Sequence, residues 1–306
     1  MKNTFIALLF VVILGGGLYI YLRENTDVQV INNTGSTTTV SGTLPATGTP
    51  VTETPVSTDT TKTALGASVS GNAITAYHFG TGQKELLFVG GIHGGYGWNT
   101  VLLAYELMDY LKANPSVIPS GIKITVIPVM NPDGLKKVTG SPERFLAKDA
   151  STVEAVRVSG RFNSNTVDLS RNFDCDWKPT GVWQTKSVSG GSAAFSEPES
   201  KAIKAYVEKK APTAVVVWYS AAGGVFASNC GGSAPYETTV ITKAFATASG
   251  YPSYDSFDYY ATTGDMVNWL AKKNIPAISV LLTNYTDTEW NKNKLGVEAL
   301  IKHYNK

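Results

Sequence analysis

Three loops rich in small residues are the part of this sequence that could do chemistry. They span residues 91–97 (GIHGGYG), 131–134 (NPDG) and 219–224 (YSAAGG), and the first carries His93, one of three histidines in the chain. Histidine can bind a metal ion or carry a proton near neutral pH. Each loop follows a short apolar run, and ligands in open α/β sheets bind beyond the carboxyl ends of the strands. The loops therefore predict one shared site at an edge of a sheet.

The elements that must position these loops alternate along the chain. Four short apolar runs predict buried strands, at residues 86–90, 123–129, 214–218 and 277–282. Longer periodic segments predict four helices, at residues 101–111, 196–210, 265–273 and 289–304. Asn99 or Thr100 is available to cap the first helix, and residues 196–199 (SEPE) have the form of a capping box for the second. This alternation predicts a layered α/β domain.

Composition limits the function classes. A chain with 43% hydrophobic and 16% charged residues predicts a well-filled globular core rather than a disordered or fibrous protein. The formal net charge of +2 is spread along the chain without a basic run. No nucleic-acid partner is therefore expected.

The first 63 residues differ in composition from the rest of the chain and fall into two segments. Residues 5–22 are an unbroken apolar and glycine run, long enough to span a hydrocarbon layer of roughly 30 Å. Residues 1–23 are predicted to be a transmembrane anchor or, alternatively, a cleaved signal segment. Residues 24–63 are rich in Thr, Ser and Pro, which predicts an extended stalk. Residues 64–306 are then expected outside the cytoplasm, held at the cell membrane by one N-terminal anchor, or secreted if the segment is cleaved.

The two cysteines leave two alternatives open. Cys175 and Cys230 are consistent with one disulfide in an oxidising compartment, and equally with two buried free thiols. Neither belongs to a C-x-x-C pair, so a redox or zinc-ribbon role is not expected.

Seven ordered motifs resemble those of the zinc carboxypeptidase family, the M14 peptidases. They are VGGIHGG around His93, NPDG at 131–134, VDLSRNFDCDW at 167–177, FSEPES at 195–200, VWYSAAGG at 217–224, TGDMVNWL at 263–270 and VLLTN at 280–284. The resemblance runs from about Asn72 to Tyr304. It implies a three-layer α/β fold in which a mixed, mostly parallel eight-stranded sheet lies between helices.

The same resemblance implies a zinc ion held by two histidines and one glutamate, with a second glutamate as general base. His93 matches the first ligand, but Tyr96 and Gly97 stand at the two spacings where the glutamate ligand would follow. Tyr219 takes the place of the second histidine, and Leu281 that of the general base. With three of these four residues absent, neither zinc nor another cofactor is predicted to bind.

The family's substrate-binding positions are better preserved. By resemblance, Arg171 matches the arginine that grips the substrate's C-terminal carboxylate, although Ser170 replaces the asparagine beside it. Arg161 matches a second arginine, and Tyr260, or its neighbour Tyr259, matches the tyrosine that closes over bound peptide. An arginine can bind a carboxylate through two charge-assisted hydrogen bonds.

These matches also have structural alternatives. Arg171 could instead form a buried salt bridge to Asp168 or Asp174, Tyr260 could simply pack, and His93 could be a hydrogen-bonded loop residue. Three functional hypotheses follow. The first is an inactive, membrane-tethered domain that binds peptide C-termini or the C-termini of peptidoglycan stem peptides. The second is an active carboxypeptidase with a rebuilt metal site, and the third is a purely structural or adhesive surface domain.

Overall fold

The structure is a computed structural model that describes residues 61–306. The predicted anchor or signal segment (1–23) and nearly all of the predicted stalk (24–63) lie outside the described residues. The first described strand begins at Lys62, so the last two residues of the predicted stalk belong to the sheet. Within residues 61–306, no helix is both long and apolar enough to cross a membrane.

Ten strands are present in the described part of the chain. They are β1 (Lys62–Ala67), β2 (Ala73–Phe79), β3 (Lys84–Val89), β4 (Ile122–Ile127), β5 (Thr180–Trp183), β6 (Lys186–Ser189), β7 (Ala214–Ser220), β8 (Gly224–Ala227), β9 (Ser253–Tyr254) and β10 (Ala277–Leu282). Eight of them form one sheet in the order β1-β2-β4-β3-β7-β10-β8-β9, and β5 and β6 form a separate hairpin. The four strands expected from apolar runs are β3, β4, β7 and β10.

The large sheet is mixed. The pairs β3–β4, β3–β7, β7–β10 and β8–β9 are parallel, whereas β1–β2, β2–β4 and β8–β10 are antiparallel. Four of its seven neighbouring pairs are therefore parallel. This arrangement confirms the predicted mixed, eight-stranded and mostly parallel sheet.

Seven α-helices accompany the strands within residues 61–306. They are α1 (Trp98–Ala113), α2 (Pro132–Thr139), α3 (Glu154–Ser159), α4 (Pro198–Lys210), α5 (Tyr236–Ser249), α6 (Met266–Lys272) and α7 (Trp290–Tyr304). Short 3-10 turns occur at Pro115–Val117, Ala147–Asp149 and Leu169–Arg171.

The two faces of the sheet pack against different helices. Every residue of β7 is buried, and its side chains alternate between the faces. Val215, Val217 and Tyr219 pack with α4 and α6 on one face, whereas Val216 and Trp218 pack with α1, α5 and α7 on the other. This is the predicted three-layer architecture, and the alternation directs Tyr219 to the α4 and α6 side.

Three local predictions about helices were wrong. The first helix begins at Trp98 after Gly97, with no side-chain cap, so neither Asn99 nor Thr100 is its N-cap. Residues 196–199 do not form a capping box, because the N-cap of α4 is Glu197 and it makes no capping hydrogen bond. Residues 131–134 were expected to be a loop, but Asn131 accepts a hydrogen bond from Gly134 N and begins α2.

A disulfide joins Cys175 to Cys230, with Cα atoms 5.9 Å apart. Cys175 follows the segment that carries Arg171, and Cys230 follows β8. The bond therefore links two parts of the chain that contribute side chains to the same cavity.

Candidate functional site

A cavity of about 320 Å³ opens beyond the carboxyl ends of β7 and β10. It brings together six residues singled out from the sequence: His93, Arg161, Arg171, Tyr219, Tyr260 and Leu281. Gly97, at a former ligand position, is not among the lining residues; it caps α1 next to His93. Of the three loops expected to share one site, those after β3 and β7 contribute residues to the cavity, whereas residues 131–134 are not among its lining residues.

His93 is buried and has few polar contacts. Its Nε2 makes no hydrogen bond within the described residues and lies 3.8 Å from Oδ1 of Asp168. Burial, together with the cations of Arg161 and Arg171, lowers the pKa of His93 well below its ordinary value. The imidazole is therefore neutral near neutral pH, and its ring lies 5.4 Å from that of Tyr219 in an edge-to-face arrangement.

Tyr219 and Leu281 are direct neighbours across the sheet. They are paired in the parallel register of β7 and β10, and both are buried. The Tyr219 hydroxyl donates to Oδ2 of Asp265 at 3.4 Å, and burial raises the pKa of this phenol well above its ordinary value. A phenol that stays protonated is a poor metal ligand, and an alkyl side chain cannot accept a proton.

At the position expected for the glutamate ligand, the structure has a packed aromatic ring or no side chain. Tyr96, three residues after His93, lies in an aromatic cluster with Trp183 and Tyr285, at ring distances of 4.8 and 4.9 Å. Its hydroxyl donates to that of Tyr285 at 3.2 Å. Gly97 offers no side chain. Neither residue provides the carboxylate that the family resemblance requires.

The side chains present do not fit a zinc ion. Zinc sites use at least three histidine, cysteine or carboxylate ligands, and His93 alone survives of the expected set. Asp168 is near His93, but Arg161 and Ser170 already donate to its two oxygens. Among residues 61–306, one group of three such side chains is close enough to hold a metal, and two of its members are the disulfide-bonded Cys175 and Cys230.

Arg161 forms a buried ion pair. Its Nε donates to Oδ2 of Asp168 at 2.8 Å, and its Cζ lies 4.4 Å from the centre of the Trp183 ring. Burial would raise the pKa of Asp168, but the guanidinium of Arg161 holds it well below its ordinary value. The charge of Arg161 is thus matched by an anion and covered by an aromatic ring.

Arg171 has no such partner. Nη1 donates to the Ser170 carbonyl and Nη2 to the Val182 carbonyl, both at 2.9 Å, and Nε has no hydrogen-bond partner. Within residues 61–306, no carboxylate lies within ion-pair distance of this guanidinium. The two salt bridges considered from the sequence do not form, because Asp168 pairs with Arg161 and Asp174 pairs with Lys272.

Tyr260 lies beside this unpaired cation. The Cζ of Arg171 is 5.7 Å from the centre of its ring, and Phe257 packs edge-to-face against the same ring at 4.9 Å. Burial raises the pKa of the Tyr260 phenol, so it is a neutral hydrogen-bonding group. Tyr259 is more exposed than Tyr260 and is not among the residues that line the cavity.

Asp265 is a cavity residue that sequence reasoning missed as part of the site. It is the N-cap of α6, where Oδ1 accepts from the backbone of Val267 and Asn268 at 3.0 and 3.1 Å. Burial raises the pKa of its carboxyl, and the nearby cation of Arg171 opposes that rise. Its position at the start of the predicted helix 265–273 was the available signal, because aspartate is a favoured N-cap.

Comparisons with known proteins agree with this fold. Residues 53–295 match the family model described as zinc carboxypeptidase. Gamma-D-glutamyl-L-diamino acid endopeptidase 1 of Lysinibacillus sphaericus is 25% identical over 218 residues, which cover 65% of this chain and 55% of that protein. Carboxypeptidase D of Mus musculus is 31% identical over 104 residues, which cover 32% of this chain and 7% of that protein. The chain thus spans about half, or less, of the length of these curated relatives.

Solved structures share the fold. The murein-tripeptide amidase MpaA from Escherichia coli O157 superimposes with a TM-score of 0.55 at 19% identity, covering 79% of this chain and 91% of that one. The carboxypeptidase A from Helicoverpa armigera gives a TM-score of 0.62 at 18% identity, covering 80% and 69%. At these identities the likeness concerns the architecture of the domain.

Proposed function

This chain belongs to the zinc carboxypeptidase family, and from that premise we propose that its cavity binds the C-terminal carboxylate of a peptide without hydrolysing the peptide. The proposal has two parts, the loss of catalysis and the retention of carboxylate binding. Each part is supported by different residues of the same cavity.

The loss of catalysis is supported by what occupies the positions of the catalytic set. Tyr219 is a neutral phenol that points to Asp265, and Leu281 is apolar. Metallocarboxypeptidase chemistry needs a metal with an open position for water and a base that takes the proton of that water. These side chains supply neither function.

The retention of binding rests mainly on Arg171. Its guanidinium faces the cavity, Nε has no partner, and within residues 61–306 no carboxylate lies within ion-pair distance of it, while Asp265 and Asp168 act on it only at longer range. A buried cation without a directly bonded anion is costly, so a ligand that brings a carboxylate relieves an unfavourable state. Arg161 does not serve in the same way, because its Nε already donates to the carboxylate of Asp168.

The class of peptide follows from the family and from one relative. The Lysinibacillus sphaericus protein is named for a bond between gamma-D-glutamyl and L-diamino acid residues. Bonds of this kind occur in the stem peptides of bacterial cell walls. We therefore include peptidoglycan stem C-termini among the ligands, and we propose that the domain meets them outside the cytoplasm.

The test of carboxylate recognition uses the full chain and a matched peptide pair. A tripeptide with a free C-terminus should bind at least about tenfold more tightly than its C-terminal amide, because charge-assisted hydrogen bonds contribute about 1.5–3 kcal/mol. Calorimetric titration measures both affinities. The substitutions Arg171→Gln and Arg171→Lys should each remove this preference, since lysine keeps the charge but loses the fork.

The control is Arg144→Gln, which removes an exposed arginine that pairs with Asp109 away from the cavity. It should leave the affinity unchanged, and thermal unfolding should confirm that every variant is folded. Equal affinities for the acid and the amide would contradict carboxylate binding and favour a structural or adhesive domain. Stoichiometric zinc after zinc loading, with hydrolysis of the tripeptide, would contradict the loss of catalysis.

A further inference from the structure

One segment beside the cavity exposes an unusual number of aromatic rings. Between Ser253 and Thr263 the chain carries Tyr254, Phe257, Tyr259 and Tyr260, which we call the aromatic rim. Tyr254 is 37% exposed and Tyr259 is 55% exposed, whereas Phe257 and Tyr260 are partly buried and line the cavity. The rim therefore has an inner side facing the cavity and an outer side facing solvent.

The outer rings are held in a fixed arrangement. The ring of Tyr254 stacks on the buried Phe226 at 4.6 Å, with an angle of 13° between the planes. The ring of Tyr259 lies 5.9 Å from the same Phe226 ring at 81°. The two exposed tyrosines thus stand nearly perpendicular to each other. Together they form an open aromatic corner on a buried support.

The inner sides of these rings pack on Phe226, but their exposed sides contact no other residue strongly enough to bury them. Clustered aromatic surface left in water is unfavourable, and exposed apolar patches commonly mark places where a ligand or partner binds. Tyrosine suits this role because its ring is apolar and its hydroxyl can hydrogen-bond. The rings are already ordered by Phe226 and Phe257, so little conformational entropy is lost when a ligand covers them.

We propose that the aromatic rim binds an uncharged sugar ring. The C–H groups on one face of a pyranose are apolar and pack on an aromatic ring, while its hydroxyl groups need hydrogen-bond acceptors at the edge. Asp255 and Asp258 alternate with the rim tyrosines and are exposed, so they offer such acceptors. The same carboxylates repel phosphate, which disfavours nucleotides and other anionic ligands.

The rim is continuous with the carboxylate-binding cavity. Tyr259 contacts Phe257 at 5.1 Å, Phe257 contacts Tyr260 at 4.9 Å, and Tyr260 lies 5.7 Å from Arg171. A tripeptide can extend about 10 Å, so one molecule with a sugar and a short peptide could reach both sites. This joint use rests on the proposed function of the cavity, whereas sugar binding at the rim is tested separately.

The experiment titrates the full chain with two probes, a tetramer of N-acetylglucosamine and the free-acid tripeptide. The substitutions Tyr259→Ala and Tyr254→Ala should each weaken sugar binding about tenfold, the scale seen when a stacking ring is removed, and leave tripeptide binding within about twofold. Tyr259→Phe should retain most of the sugar affinity, since it keeps the ring. Tyr236→Ala, which removes an 84% exposed tyrosine outside the cavity lining, is the matched control and should change neither affinity.

The outcomes separate the two proposals. Sugar binding that depends on Tyr254 and Tyr259 supports the rim even if the tripeptide does not bind. Tripeptide binding without sugar binding supports the cavity and overturns the rim. Sugar binding that is unchanged in both alanine variants also overturns the rim. A lysine-rich peptide that displaces the tetramer and binds more tightly would overturn the sugar assignment, because perpendicular rings beside carboxylates can also hold an ammonium group.

Discussion

Arg161 and Arg171 are both almost fully buried, yet they differ in electrostatic environment. Arg161 has an anion at 2.8 Å and an aromatic ring over its guanidinium. Arg171 donates to backbone carbonyls and keeps an unpaired Nε. A buried ion pair with good geometry mainly holds the structure, whereas an unpaired cation at a cavity is suited to binding. In sequence, the two arginines match a functional pair. Their surroundings instead predict separate roles, a structural one for Arg161 and a binding one for Arg171.

The role of Arg161 predicts a large stability effect at its partner. Asp168→Asn leaves a buried guanidinium without an anion and should lower the free energy of unfolding by about 3–5 kcal/mol. Asp174→Asn is the control, because its ion pair with Lys272 is half exposed and should change stability by less than about 1 kcal/mol. Urea unfolding of both variants at neutral pH measures the difference. Equal losses of stability in the two variants would contradict a structural role for the ion pair between Arg161 and Asp168.

Asp168 should also make the free energy of unfolding depend on pH. Arg161 holds the pKa of Asp168 below its ordinary value despite burial. A carboxyl whose pKa is lower in the folded state stabilises the fold above its unfolded pKa of about 4, and the stabilisation is lost as the pH falls below that value. Acid unfolding of Asp168→Asn should lack this contribution, and Asp174→Asn should retain it.

At the scale of elements, Asp265 connects a helix to the cavity. It caps α6 through two backbone hydrogen bonds and also accepts from Tyr219, although burial raises the pKa of its carboxyl. Because that pKa is higher in the folded than in the unfolded chain, ionisation of Asp265 lowers the stability of the fold above a pH of about 4. Capping therefore stabilises α6 while the buried charge partly opposes that effect.

These two contributions can be separated by substitution. Asp265→Ala removes the cap and should lower the free energy of unfolding by about 1–2 kcal/mol. Asp265→Asn keeps a capping oxygen and removes the charge, so at neutral pH it should be at least as stable as the wild-type chain. Urea unfolding at neutral pH ranks the three proteins. If Asn were as destabilising as Ala, the charge rather than the cap would be the stabilising feature.

The strands were more predictable than the helix ends, for physical reasons. A strand buried on both faces needs a continuous apolar run, and β10 coincides with the run at residues 277–282. Helix starts depend on which polar groups happen to be near. The Pro-Asp-Gly sequence within residues 131–134 predicts a turn, yet Asn131 caps a helix there. Ser196 does not cap α4, and its hydroxyl donates to Glu197 and accepts from Asn172.

The order of the motifs along the chain predicted part of the site. The motifs brought His93, Tyr219 and Leu281 together correctly, because each lies at or just beyond the end of a buried strand. The pairing of Asp168 with Arg161 rather than Arg171 could not be read from the sequence, since it depends on side-chain directions within a loop. The aromatic rim was also missed, because ring orientation and exposure are tertiary properties.

At the scale of the whole molecule, the disulfide ties the two sides of the cavity. Cys175 is buried four residues after Arg171, and the carbonyl of Cys175 accepts from Gly264 N, just before Asp265. Cys230 is next to Asn229, which lines the cavity beyond β8. Reduction would therefore release the segment that positions Arg171 from the wall formed by β8 and the loop after it.

Loss of this bond should affect both stability and binding. The cysteines are separated by 55 residues, and closing a loop of that length stabilises a fold by roughly 4 kcal/mol in the chain-entropy model. The double substitution Cys175→Ser and Cys230→Ser should lower the free energy of unfolding by that amount and weaken binding of the free-acid tripeptide severalfold. The wild-type chain in reducing buffer is the matched comparison and should behave in the same way. If the reduced chain lost stability but kept full affinity, the bond would stabilise the domain as a whole without positioning Arg171. The geometry around that guanidinium would then have to be maintained by the carbonyl groups of Ser170 and Val182 and by the Ser170 hydroxyl.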